Sequence, residues 1–136
     1  MVGVVITTYG PLASSFLEVA EAILGRQGAV KAVDVLPQEG KQEISAHLAQ
    51  AVSQVREPDG VLILTGIYGE SNCKISLSLF GNQRVRVVTG VNLPMLFKVL
   101  TYRSRLSLQD LAACACENGR SGITACEPMT DCRLRN

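Results

Sequence analysis

The chain has 136 residues, of which 47% are hydrophobic and 18% charged, with a formal net charge of +1. That length suits one domain with a packed core, and that apolar fraction excludes a disordered chain. A charge near zero, no tryptophan and 4% aromatics argue against nucleic-acid binding through basic patches or stacked bases.

No apolar stretch approaches membrane-spanning length. The opening apolar run lacks a basic flank and is too short for a signal peptide. A cytoplasmic protein without membrane insertion is therefore expected. Five cysteines occur: Cys73, Cys114, Cys116, Cys126 and Cys132. Their odd number, without a secretory signal, argues against a disulfide framework. There is no C-x-x-C pair, and Cys114 and Cys116 stand two apart on an expected helix, facing different sides. No metal site and no other cofactor are expected.

In chain order, Val2–Ile6 is a continuous apolar run rich in β-branched residues, suited to a strand buried on both faces. It ends in Thr7-Thr8-Tyr9-Gly10, and Pro11 suits the first position of a helix. That helix is expected over Pro11–Leu24, with Leu12, Phe16, Val19, Ala20 and Ile23 on its apolar face and Gly25 as its stop. Ala29–Leu36 reads as a second strand, and Pro37-Gln38-Glu39-Gly40 as a turn. The second helix spans Gln42–Val55, with Ile44, Leu48, Ala51, Val52 and Val55 facing inward. Gly60–Thr65 is the third strand, followed by a loop and a short helix over Asn72–Phe80. Val85–Thr89 is the fourth strand. A helix from Leu93 to about Arg103 follows, then another that Ser107 and Asp110 open in the manner of a capping box. It is expected to run to Asn118, with Gly119 as its cap. Ile123–Met129 reads as a last short strand, and residues 130–136 as a polar tail on a domain spanning 1–129.

Alternating strands and helices imply a doubly wound, mostly parallel α/β sheet. In such sheets ligands bind beyond the carboxyl ends of the strands. The turn Thr7–Gly10 is thus the first candidate site.

Several stretches coincide with one family. They are the Thr-x-Gly turn with Pro11-Leu12-Ala13, Ala20–Gly25, Gly60–Leu64, Gly90-Val91-Asn92-Leu93-Pro94-Met95-Leu96 and Glu117–Ile123. Together they resemble the enzyme IIA domain of the mannose-family sugar phosphotransferase system (PTS). The resemblance implies a four-stranded parallel sheet of order 2-1-3-4. It also implies a short antiparallel strand exchanged between the subunits of a homodimer. In that family a histidine in the first loop accepts a phosphoryl group from HPr and passes it to enzyme IIB. A carboxylate at the end of the third strand orients the imidazole, and hydroxyls and backbone N–H groups hold the phosphoryl oxygens.

In this sequence the histidine position is Tyr9 and the carboxylate position is Gly66. Thr8, Gly10, Gly69 and Ser71 remain as candidates to hold a phosphoryl group or another ligand. Glu70 stands where a second glycine is usual, and Asn72 replaces a proline. A phenol is a far weaker nucleophile at neutral pH than an imidazole, so Tyr9 is expected to fill the histidine's space and hydrogen-bond locally. His47, the only histidine, falls at the edge of the apolar face of the second helix and is expected to be structural. Cys73 reads as a small buried thiol, and Glu70 as a solvated loop acid. Arg84, Arg86, Arg103, Arg105 and Arg120 read as scattered surface charges.

The expectation is an enzyme IIA-like protein that has lost its phosphoryl acceptor and keeps a regulatory or binding role. A working carrier using another residue, and a small-ligand sensor with its pocket between Tyr9 and Ser71, are the alternatives.

Overall fold

The computed structural model describes residues 1–67, 71–80 and 84–127, with the side chains of 71, 72, 79 and 80 left aside. Four strands form one parallel sheet: β1 (Gly3–Tyr9), β2 (Val30–Val35), β3 (Val61–Thr65) and β4 (Val85–Thr89), in the order β2-β1-β3-β4. The expected α/β class, strand order and parallel pairing are all observed. The cause is visible in β1. Val4, Val5 and Ile6 are all fully buried, which only a central strand covered on both faces allows.

Successive side chains of β1 point to opposite faces, and the core splits accordingly. Val4 and Ile6 join Leu62, Leu64 and Val88 under α1 (Leu12–Leu24), α4 (Leu93–Tyr102) and α5 (Leu108–Ser121). Val5 joins Ile63, Val61 and Val85 under α2 (Lys41–Val55) and α3 (Ser71–Phe80). The inward face of α2 is the expected one: Ile44, Leu48, Ala51, Val52 and Val55 are all buried.

Three local expectations change. Pro11 is the N-cap of α1 rather than its first residue. The buried stripe of α1 is Ala13 and Ala20, with Phe16 and Leu17 packed at its edge. Leu12, Val19 and Ile23 are exposed. The two alanines let the helix lie close to the sheet, and close approach decides which stripe turns inward. Gly119 does not end α5, which continues to Ser121 with Gly122 as C-cap.

The reason Gly119 stands inside a helix lies in the neighbouring element. Asn92 caps α4, its Oδ1 accepting the Met95 N–H at 2.9 Å, while its Nδ2 donates to the Gly119 carbonyl at 2.9 Å. A Cβ on Gly119 would lie 2.8 Å from Met95 Cε, and one on Gly122 would lie 2.3 Å from Pro94 Cβ. The Asn-Leu-Pro-Met and Asn-Gly-Arg-Ser-Gly segments are thus two halves of one joint, where α5 packs against the start of α4. Ser107 caps α5 as expected, accepting the Asp110 N–H at 3.1 Å.

Arg103 is not a surface charge. It is 5% exposed and donates to the carbonyls of Val2, Gly28 and Ala29 and to Gln27 Oε1. Burial pushes its guanidinium below the usual range, and Glu57 counteracts this. Residues 123–127 run on from α5 without strand pairing in this single chain. Residues 128 and 129, the end of the expected last strand, lie outside the described residues, as does the tail.

Candidate functional site

The carboxyl edge of the sheet gathers the loops after β1, β2 and β3. Tyr9 is the last residue of β1, paired with Val35. The next residue, Gly10, takes φ +64°, a left-handed conformation that glycine adopts without strain. Its N–H donates to the Val35 carbonyl at 2.9 Å, so the chain turns sharply into α1. Thr7 pairs with Thr65 across to β3, which sets Gly66 on the strand end next to that of Tyr9. The Gly66 carbonyl accepts the Gly90 N–H at 2.8 Å.

The first turn of α1 has its donors spoken for. Thr8, 2% exposed, accepts the Ala13 N–H through Oγ1 at 2.8 Å. Asp34, from the end of β2, accepts the Ser14 N–H at 2.9 Å through Oδ1 and the Ser14 hydroxyl at 2.5 Å through Oδ2. Pro11 offers no side-chain cap, so Thr8 and Asp34 satisfy amides that would otherwise be orphans. A carboxylate there also complements the positive end of the helix. Thr8, expected among the ligand-holding groups, caps the helix through its hydroxyl. Asp34 was missed, because only the β1–β2 register brings it beside Thr8.

Tyr9 does not hydrogen-bond locally as expected. It is 45% exposed, and its hydroxyl finds no partner among the described residues. Instead it lines a cleft of about 280 Å³ closed by the β2–α2 turn, the start of α2 and the start of α3. Ile44 and Ile75 supply apolar wall, and Lys41 and Lys74 supply charge. Glu39 is an acid on the wall of this cleft. Its Oε1 accepts the Leu36 N–H at 2.8 Å, while the Gly40 N–H goes to Glu43 Oε1 at 3.2 Å. Glu39 Oε2 is buried 2.7 Å from His47 Nδ1. The His47 side chain is 53% exposed and that of Glu39 only 7%. The β2–α2 turn faces the same sheet edge as the β1 loop. That topological rule was the signal by which sequence reading could have found Glu39 and Lys41.

Ser71 is the first residue of α3, with its side chain outside the description. Gly69 and Glu70 lie outside the described residues. Cys73 is buried as expected, and Cys114, Cys116 and Cys126 are free. Among the described residues no group of three or more His, Cys, Asp or Glu is placed to hold a metal ion. Likewise, no helix among them is long and apolar enough to cross a membrane.

Comparison with known proteins agrees with this architecture. The family profile EIIA-man, described as the PTS system fructose IIA component, matches residues 3–115. The PTS system fructose-specific EIIA component of Bacillus subtilis is 32% identical over 112 residues, covering 82% of this chain and 77% of that protein. The PTS system mannose-specific EIIAB component of Escherichia coli K12 is 32% identical over 126 residues, 91% of this chain. This chain spans 39% of the length of that two-component relative. Among solved structures, the phosphotransferase system component EIIA from Streptococcus agalactiae superposes with a TM-score of 0.83. It covers 92% of this chain and 97% of the other at 22% identity, a likeness of fold. Sheet order, helix placement and matched sequence agree, and the chain belongs to the mannose-family EIIA domains of the sugar phosphotransferase system.

Proposed function

We propose that this chain is an EIIA-like protein of the PTS that does not carry a phosphoryl group at its β1 loop and instead acts by binding. The observation that carries this reading is Tyr9 at the end of β1. An imidazole with an ordinary pKa of ~6.5 is largely unprotonated near neutral pH, whereas a phenol, ordinarily near ~10, is not. Gly66 on the neighbouring strand end carries no carboxylate to orient a nucleophile. The first turn of α1, a natural anion seat, already holds the Asp34 carboxylate on Ser14. These three features remove the nucleophile, its orienting partner and part of the electrostatic hold.

The relatives' names place them in the phosphotransferase system, so HPr and enzyme IIB are the partners in whose presence this chain acts, in the cytoplasm. A homodimer in which residues 123–129 pair with the neighbouring subunit's sheet completes the proposal. Strand exchange is a low-cost route to a symmetric pair. Incubation with phosphoenolpyruvate, enzyme I and HPr tests the first part, and no acid-labile label on this chain is expected.

One observation favours a second reading, a carrier that uses another residue. His47 Nδ1 rests 2.7 Å from the buried Glu39 carboxylate. A carboxylate on one ring nitrogen fixes the tautomer and leaves the other as nucleophile. If the chain takes label, His47→Gln should abolish it.

A further inference from the structure

The cleft beside Tyr9 has features that neither loss of the acceptor nor the fold requires. Lys41, the first residue of α2, and Lys74, in the first turn of α3, bring two ammonium groups to one cleft from two elements. Among the described residues neither has a carboxylate partner. The one acid lining the cleft, Glu39, has its charge directed elsewhere. The Leu36 N–H holds Oε1, and Oε2 is buried against His47. Among the described residues the lysine charges therefore border the cleft without a paired counter-ion, in a concave setting that concentrates the field. The rest of the lining includes the apolar Ile44 and Ile75, on the same two helices, and the half-exposed Tyr9.

The geometry points to a binding site for a small organic phosphate monoester: phosphate on Lys41 and Lys74, carbon skeleton against Ile44, Ile75 and Tyr9. This rests on the reading of the chain as a binding protein. A bare inorganic anion would use the lysines and leave the apolar wall wet. An uncharged sugar would leave both ammonium groups without a counter-charge. A ligand with both parts satisfies both. The volume, about 280 Å³, is at the low end for ligand sites, which suits a sugar phosphate and is small for a nucleotide. Tyr9 then has a purpose that a phosphoryl-accepting histidine would not serve: its hydroxyl is free to donate to the phosphate and its ring to cover the skeleton.

The test is isothermal titration of the full chain with glucose 6-phosphate, glycerol 3-phosphate, glucose and inorganic phosphate. At least one ester should saturate with Kd below about 1 mM, and glucose and phosphate should each bind about tenfold more weakly or worse. Lys41→Gln with Lys74→Gln should weaken the ester about tenfold or more, and both side chains are exposed, so the fold is not at stake. Lys98→Gln, on α4 away from the cleft, should bind as the unmodified chain does. Three results each overturn the site: neither ester saturating by about 10 mM, phosphate binding as tightly as the esters, or the double variant binding unchanged. Labelling from HPr on the same preparation separates this site from the broader reading. Label on the chain overturns the loss of the acceptor whether or not an ester binds. Absence of both overturns the ester site alone.

Discussion

Replacing Gly122 by alanine should destabilise the chain although its backbone tolerates the change. Gly122 takes φ −75° and ψ −6°, ordinary right-handed geometry, so any penalty is steric. Its Cβ would lie 2.3 Å from Pro94 Cβ and 2.5 Å from Pro94 Cγ. A proline ring on the first turn of a helix cannot rotate away, so α4 and α5 must separate. Overpacking of this kind costs ~1–3 kcal/mol, and alanine returns up to about 1 kcal/mol by restricting the unfolded chain. The net loss is ~1–2 kcal/mol, or roughly 3–8 °C in Tm for a domain of this size. Gly119→Ala is the internal comparison. Its Cβ would meet Met95 Cε at 2.8 Å, the far end of a flexible side chain, and helix propensity favours alanine by ~1 kcal/mol. Gly119→Ala should therefore stay within about 1 kcal/mol of the unmodified protein. Thermal unfolding followed by circular dichroism reads both. Gly122→Ala melting at or above the unmodified chain, or below it by less than Gly119→Ala does, would refute the joint as described.

Other outcomes follow from the same contacts. Asn92→Ala removes the α4 cap and the donor to the Gly119 carbonyl and should cost ~1–3 kcal/mol. Asn92→Asp keeps the cap and loses the donor, so urea midpoints should rank unmodified, Asp, Ala. Arg103→Ala leaves the Val2, Gly28 and Ala29 carbonyls without its guanidinium and should cost ~2–4 kcal/mol in urea unfolding. An unchanged midpoint would mean that those bonds only offset the cost of burying the charge. Thr8→Val should cost ~1–2 kcal/mol by orphaning the Ala13 N–H, measurable as faster amide exchange at Ala13. Truncation after Gly122 should yield monomer or aggregate by light scattering, and an unchanged dimer would count against strand exchange.

Much of the fold was legible because β1 and α2 carry strong one-dimensional patterns. Val2–Ile6, short and rich in β-branched residues, reads as a doubly covered strand, and the inward face of α2 repeats cleanly. α1 misled because Leu12, Val19 and Ile23 make a plausible stripe, while the stripe that packs is built on two alanines, whose value lies in close approach. The Asn-Leu-Pro-Met and Asn-Gly-Arg-Ser-Gly segments marked the family without revealing why. Their reason is a contact between Asn92 and Gly119, 27 positions apart. At the site, Tyr9 was legible from its place after the first strand. Asp34 on the α1 amides was not, since it depends on the order that sets β2 beside β1, and Glu39 against His47 was not, since it depends on how the β2–α2 turn folds back onto α2.

The central claim is that the chain has the EIIA fold without the phosphoryl step at Tyr9. The most direct measurement is transfer of radiolabelled phosphoryl from phosphoenolpyruvate through enzyme I and HPr. It compares the unmodified chain, Tyr9→His, and Tyr9→His with Gly66→Asp. The account predicts no acid-labile label on the unmodified chain, little on the single variant, and more on the double, where nucleophile and orienting carboxylate are both restored. Robust acid-labile label on the unmodified chain would contradict it.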